Sequence, residues 1–273
     1  MKKKLALILL VCFSLSILLV GCGTDENAAD PDQKDTSWEE IQDKGYFVMG
    51  LDDAFPPMGF REEGTNEIIG FDIDMAKEAA KRMGVEVKFQ PVIWDTNIEE
   101  LNSGNVDVLW NGLTITPQRE KKIDFTKPYL ENRQIVVVQK GSPIKTKEDL
   151  KGIKLGIQAG STAMDALESE PEIMDSLTEL AEFGSNDEAL LDLASGRIDA
   201  VLVDEVVGRF YVNKKPDVYT VLDESFAEEV YGVGFRKGDD AFRAKLQKAL
   251  DEMKADGTSA KISEKWFGKD IVK

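Results

Sequence analysis

The sequence predicts an α/β protein made of two similar lobes, and three observations point to it. From Trp38 onward short apolar runs alternate with amphipathic stretches, the pattern of strands and helices taking turns. The segment Leu101-Asn102-Ser103-Gly104-Asn105-Val106-Asp107-Val108-Leu109 is echoed 92 residues later by Leu193-Ala194-Ser195-Gly196-Arg197-Ile198-Asp199-Ala200-Val201, each a helix end, a Ser-Gly stop and a buried strand. The 252 residues that follow position 21 suffice for two modest cores, at about 100 to 200 residues per domain.

Lys2, Lys3 and Lys4 precede an apolar run of 16 residues, Leu5 to Val20, and an acidic stretch follows at once. A membrane span takes about 20 apolar residues, so residues 1–21 read as a secretory signal. Gly23 to Ser37 is polar, acidic and interrupted by Pro31, the composition of a flexible tether. Tyr46 to Leu51 reads as a strand. Asp72 to Met83 reads as a helix, with Ile73, Ala76, Ala80 and Met83 on one face and Gly84 as its stop. Val85 to Phe89 and Val106 to Trp110 are further strands. A second series holds strands at Ile135 to Val138 and Ile153 to Ile157, a helix after Ser161 and a buried strand at Ile198 to Val203. Val230 to Phe235 reads as a strand carrying Gly232 and Gly234. Asp239 to Ala255 reads as a helix whose Phe242, Leu246, Ala249, Leu250 and Met253 form a core stripe, ended by Asp256-Gly257. Ile262, Trp266 and Phe267 pin the terminal segment by packing.

Composition excludes several classes of function. Cys12 lies inside the signal and Cys22 just past it, so no disulfide framework or thiolate metal site is available. The chain has no histidine, which removes the usual zinc ligand, general base and sensor of neutral pH. No cofactor and no metal is expected. Without residues 1–21 the balance is 31 basic against 51 acidic residues, or −20, a surface that repels nucleic acid and anionic lipid.

One charge stands where helix physics opposes it. In Gly112-Leu113-Thr114-Ile115-Thr116-Pro117-Gln118-Arg119, Thr116 reads as an N-cap and Pro117 as the first helical residue, which puts Arg119 in the first turn. That helix end carries partial positive charge and favours anions. The repeat sets Asn111-Gly112 level with Val203-Asp204, both at strand carboxyl ends, where open α/β sheets bind ligands. Arg119 offers a planar fork suited to a carboxylate, Gly112 permits close backbone approach and Thr114 adds a hydroxyl. In Gln158-Ala159-Gly160-Ser161-Thr162 a glycine-containing turn opens a helix whose free N–H groups can hold an anion, and Asp204 can accept from an ammonium. Ser161, Thr162 and Asp204 each have a plainer use as helix caps. A carboxylate clamp opposite an acid describes the two ends of an α-amino acid.

The motifs Gly70-Phe71-Asp72-Ile73-Asp74, Gly112 to Arg119 followed by Ile123-Asp124-Phe125-Thr126-Lys127-Pro128-Tyr129, Tyr231-Gly232-Val233-Gly234-Phe235 and Lys265-Trp266-Phe267-Gly268 occur in the order of the polar amino-acid solute-binding proteins that serve ABC importers. The chain resembles that family over residues 38–270. The resemblance implies a type II periplasmic-binding-protein-like clamshell of two lobes, each a mixed sheet flanked by helices, joined by two hinge strands. Lobe 1 would be 38–132 plus 231–273 and lobe 2 would be 133–230. It implies that Gly112, Thr114, Arg119 and Thr162 hold the ligand carboxylate, with Ser161 in the second loop and Gln158 flanking that loop as further ligand-binding residues. Asp204 would hold its amino group, Phe55 and Trp94 would flank its side chain, and Asp52 would face its distal end. Asn111 replaces the serine or alanine often seen before the glycine, Ala163 follows the second loop and Met58 stands where an aromatic is common. These departures leave arginine, lysine, glutamine, glutamate and cystine open, with glutamate last in the order for want of a basic partner. Leu19-Val20-Gly21-Cys22 resembles the bacterial lipobox, which implies a lipid on Cys22, a tether over 22–37 and a place outside the cell membrane. The partners so implied are a polar amino acid and the permease and ATPase subunits of an importer, with the receptor itself a monomer. Two other readings use the same scaffold: an enzyme relying on a carboxylate such as Asp52 or Asp204, or a sensor domain that presents ligand to a partner.

Overall fold

The alternating apolar runs become two five-stranded sheets in the computed structural model, which describes residues 34–273. The signal, Cys12, Cys22 and the tether up to residue 33 lie outside the described residues. The folded body begins slightly before Trp38, because the Asp35 carboxylate accepts from the N–H groups of Ser37 and Ala241 and so ties the first turn down.

Helix α1 (Ser37–Lys44) leads into β1 (Tyr46–Leu51), and a small sheet of β2 (Ala54–Phe55), β3 (Gly59–Arg61) and β4 (Ile68–Ile69) follows. Then come α2 (Phe71–Met83), β5 (Glu86–Pro91), α3 (Asn97–Asn102), β6 (Val108–Leu109), α4 (Pro117–Glu120) and β7 (Ile123–Phe125). The face of α2 read from its spacing is buried as expected. The strand expected from Val85 starts one residue later, since the Val85 N–H closes the helix onto the Ala80 carbonyl. The strand expected over 106–110 shrinks to two residues because the Val106 N–H is drawn back to Glu100 and the Asp107 carboxylate accepts from the Val48 N–H.

The second sheet takes β8 (Leu130–Gln139), β9 (Lys154–Gln158), β10 (Glu179–Phe183), β11 (Ala200–Asp204) and β12 (Tyr219–Tyr231) in the order β10-β9-β11-β8-β12. Between them lie α5 (Ala163–Glu168), α6 (Pro171–Met174), α7 (Asn186–Ser195) and α8 (Glu205–Lys214). β9 runs parallel to β10 and β11, whereas β8 runs antiparallel to β11 and β12. The chain then returns to the first sheet as β13 (Gly234–Arg236), which sits antiparallel between β6 and β7. The order there is β5-β1-β6-β13-β7. The single strand expected over 230–235 is therefore two strands in different sheets. The break falls at Gly232, whose N–H turns to the Leu113 carbonyl and whose missing side chain leaves room for Ile115.

Helices α9 (Asp240–Ala255) and α10 (Thr258–Phe267) close the first lobe. The α9 stripe of Phe242, Leu246, Ala249, Leu250 and Met253 is buried, with the Phe242 ring against Phe47 and Phe235. Burying side chains of this size contributes about 1.5 to 3 kcal/mol each. Trp266 packs as expected, its indole N–H bonded to Asp74 and its ring edge-on to Phe60. The segments between β7 and β8 and between β12 and β13 join the two sheets side by side, with Tyr129 N–H bonded to the Tyr231 carbonyl and Thr126 N–H to that of Val233. Among the described residues no helix is long and apolar enough to cross a membrane.

Candidate functional site

Arg119 is positioned by the local signals that singled it out. Thr116 caps α4, its Oγ1 accepting the Arg119 N–H at 3.1 Å, and Pro117 occupies the first turn. The side chain then folds back so that Nη1 donates to the Thr114 carbonyl at 2.9 Å, while Nη2 reaches the carbonyl of Gly160 in the other lobe at 3.0 Å. Gly160 has φ of 70°, and a Cβ there would lie 2.5 Å from the Asp95 Cα, so only glycine lets these two lobes meet at that point. Burial pulls the guanidinium below its ordinary pKa, and the charges of Glu229, Asp204 and Asp165 oppose that shift.

Gly112 adopts φ of 60°, with a would-be Cβ 2.8 Å from the Phe55 ring. Its N–H donates to Asp72 Oδ2 at 2.9 Å. Asp72 also receives Trp110 Nε1 at 3.1 Å and the Tyr129 hydroxyl at 2.9 Å, and full burial pushes its carboxyl up to about 7. This acid thus ties the Gly112 loop to the start of β8.

The second loop divides its groups between capping and the cleft. Ser161 Oγ donates to the Gln158 carbonyl at 2.7 Å and accepts from the Ala163 N–H at 3.3 Å, a local turn. Thr162 makes no side-chain cap; its hydroxyl accepts from Gln134 Nε2 at 3.3 Å and lies 3.4 Å from Thr114 Oγ1 in the other lobe. Asp204 precedes α8 without capping it. Its Oδ1 accepts from the Tyr231 hydroxyl and from Asn132 Nδ2, each at 2.6 Å. Burial, and then the neighbouring Glu229 carboxylate, push Asp204 up to about 7.

At the far end of the cleft Asp52 Oδ2 accepts from Gln158 Nε2 at 2.6 Å, and Gln158 Oε1 accepts from Asn186 Nδ2 at 2.7 Å. Burial pushes Asp52 up to about 6. Phe55 and Trp94 stack with planes 16° apart and centroids 6.5 Å apart. Asn111 is buried in the lobe, its amide between the Asp52 carbonyl and the Gly59 N–H, 3.0 Å from each. A crevice of about 300 Å³ opens between Trp94, Arg119, Gln158 and Ser161.

The structure thus brings Arg119, Thr114, Thr162 and Asp204 into one region between the sheets, with Asp52, Gln158, Phe55 and Trp94 along one side. Sequence reading passed over Asp72 as a site residue, and over Asn132, Gln134, Asn186 and Glu229 altogether. Asn132 and Gln134 had a signal, two amides at alternate positions entering an apolar strand. Glu229 had none, since an acid beside Glu228 in an acidic chain reads as solvated surface.

Two mixed sheets joined by paired strands, with facing polar loops at their junction, define a two-lobed solute-binding protein. Residues 47–269 match the family of bacterial extracellular solute-binding proteins, family 3, and the chain belongs to that family. It is 35% identical over 236 residues to the L-cystine-binding protein TcyJ of Escherichia coli, covering 86% of this chain and 87% of the relative. It is 34% identical over 279 residues to the ABC transporter glutamine-binding protein GlnH of Bacillus subtilis, covering 99% of each. A crystal structure of Tv2483 bound to L-arginine superposes with a TM-score of 0.84 at 31% identity, covering 88% of this chain and 98% of that one. These relatives are binding proteins, and the chain is a binding protein rather than an enzyme.

Proposed function

We propose that this protein captures a polar L-amino acid outside the cell and delivers it to the permease and ATPase subunits of an ABC importer. In this reading lobe 1 spans 38–132 plus 231–273, lobe 2 spans 133–230, and the strands that join them act as hinges. Arg119 receives the α-carboxylate together with the loop of Ser161 and Thr162, which Gln158 flanks, and Asp204 receives the α-ammonium. The observation that carries the reading is the juxtaposition of Arg119 in one lobe with Asp204 in the other, the acid close enough for its charge to act on the guanidinium, and neither in an ion pair among the described residues. Phe55 and Trp94 flank the ligand side chain, Asp52 meets its distal end, and Asn111 supports Asp52 through its backbone. An acid between aromatic walls suits a guanidinium or ammonium by charge pairing and cation–π contact, so arginine or lysine heads the order, with glutamine and cystine next. The names of relatives that bind cystine, glutamine and arginine support this range. Cys22 carries a lipid that holds the monomeric receptor at the outer face of the membrane.

The test is calorimetry of the purified protein against L-arginine, L-lysine, L-glutamine, L-cystine and L-glutamate. Binding of at least one of the first four is expected, and Arg119→Ala should abolish most of it, because a carboxylate buried without its partner costs about 3 to 5 kcal/mol. Unchanged affinity in that variant would overturn the assignment.

A further inference from the structure

Two residues of β12 and β11 stand beside two of β8 in register: Glu229 pairs with Asn132, and Asp204 with Gln134. Cross-strand partners point to the same side of a sheet, so these four polar side chains share one face. Glu229 Oε2 accepts from Asn132 Nδ2 at 2.9 Å, Gln134 Nε2 at 3.1 Å and Thr114 Oγ1 at 3.1 Å. The same Asn132 nitrogen donates to Asp204 Oδ1 at 2.6 Å, so one amide bridges both acids.

Donors in this group are spent and acceptors are left over. The amide oxygens of Asn132 and Gln134 are buried without a partner, on side chains that are 3% and 0% exposed. Nearby cations are engaged elsewhere: Arg133 on Glu205, Lys273 on Glu131, and Arg119 on the Thr114 and Gly160 carbonyls. Surplus acceptors around two carboxylates match a group with three N–H donors and a full positive charge.

The hydroxyls add a direction. Gln134 Nε2 donates to Thr162 Oγ1, Thr162 to Thr114 Oγ1 and Thr114 to Glu229. With its hydrogen directed to Glu229 and one lone pair taken by Thr162, the Thr114 hydroxyl keeps one lone pair and can act toward a ligand only as an acceptor. It thus accepts from an ammonium instead of donating to a carboxylate.

We propose that Glu229 is a specificity-determining residue for the amino group: it orients Thr114 as an acceptor and, with Asp204, sets two carboxylates against one ligand ammonium. This deepens the reading above and rests on it. Burial and Glu229 hold Asp204 near neutrality as an acid of about 7, with the Tyr231 hydroxyl bonded to it and Arg119 acting at longer range. An incoming ammonium favours the ionised form, so binding near pH 7 releases a proton from Asp204.

The experiment is calorimetry on wild type and Glu229→Gln, a substitution that keeps an acceptor oxygen for Thr114 and removes the charge. The probes are L-arginine and 5-guanidinopentanoate, which is arginine without its amino group. Glu229→Gln should weaken L-arginine about tenfold or more while leaving the deamino analogue within about twofold, since only the former carries the ammonium. Equal losses for both ligands, or none for L-arginine, would overturn the proposal. As a readout independent of the variant's folding, L-glutamine binding to wild type at pH 7 is measured in two buffers of unlike ionisation heat. Proton release is expected, and its absence would also overturn the proposal. If wild type binds none of L-arginine, L-lysine, L-glutamine and L-cystine, the functional reading fails and this inference with it; binding by wild type with an indifferent Glu229→Gln sinks the inference alone.

Discussion

Nη2 of Arg119 and the carbonyl oxygen of Gly160 stand 3.0 Å apart, one in each lobe. The contact needs the backbone of Gly160 to come within side-chain reach of Asp95. Gly160→Ala would set a methyl against that backbone and add left-handed strain of about 1 to 2 kcal/mol. The expected result is roughly tenfold weaker ligand binding through faster release, with a melting temperature in the absence of ligand lowered by about 2 to 8 °C by the strain. Stopped-flow fluorescence from Trp94 would check it. An unchanged release rate would mean that the lobes close without this contact.

Arg119→Lys keeps the charge but loses the fork that reaches Thr114 and Gly160 together. Affinity should fall about 10- to 100-fold, less than in the alanine variant, because a point charge cannot make both bonds. Titration calorimetry of the two variants side by side gives the order.

Asp52 joins the lobes through Gln158 and carries a carboxyl raised to about 6 from an ordinary 3.8 by burial. A raised acid takes up its proton early, so as pH falls through 6 the negative charge is lost. Affinity for L-arginine should therefore decline between pH 7 and 5 more than affinity for L-glutamine. Asp52→Asn should flatten that difference. Calorimetry across the pH range decides it, and parallel pH profiles for both ligands would remove Asp52 from the side-chain subsite.

Asp72 and Asp204 are raised to about 7 and Asp52 to about 6, so the folded protein binds more protons than the unfolded chain between about pH 4 and 7. Stability contributed by these groups is present at the acidic side of that window and falls as pH rises through it. The melting temperature without ligand should drop from pH 5 to 7.5, and the drop should shrink in Asp72→Asn. Differential scanning calorimetry reads both slopes. An identical slope in the variant would show that Asp72 does not titrate in this window.

Much of this architecture was legible along the chain because it is written in local periodicity. The α2 and α9 stripes, the Thr116–Pro117 start of α4 and the β1 strand fell within a residue of expectation, since spacing, caps and stops act over a turn or two. Strands at sheet edges and crossings were harder. The run over 230–235 has one continuous apolar pattern, yet it serves two sheets, because the partner that divides it at Gly232 is Leu113, more than a hundred residues away. β12 was missed over most of its length, since its burial alternates weakly and its stability comes from pairing with β8.

The site divides in the same way. Arg119 could be found alone, because a cation in a first helical turn conflicts with the field of its own helix. Asp204 could be set opposite it by the repeat. The role of Glu229 could not be found, because an acid acquires its meaning from what surrounds it: Asn132, Gln134 and Thr114 reach it from other strands and another lobe. Local order encodes the two lobes, their helices and the family; which carboxylates are buried side by side is settled by strand register and lobe contact, since burial and proximity, not residue type, set the cost of a charge.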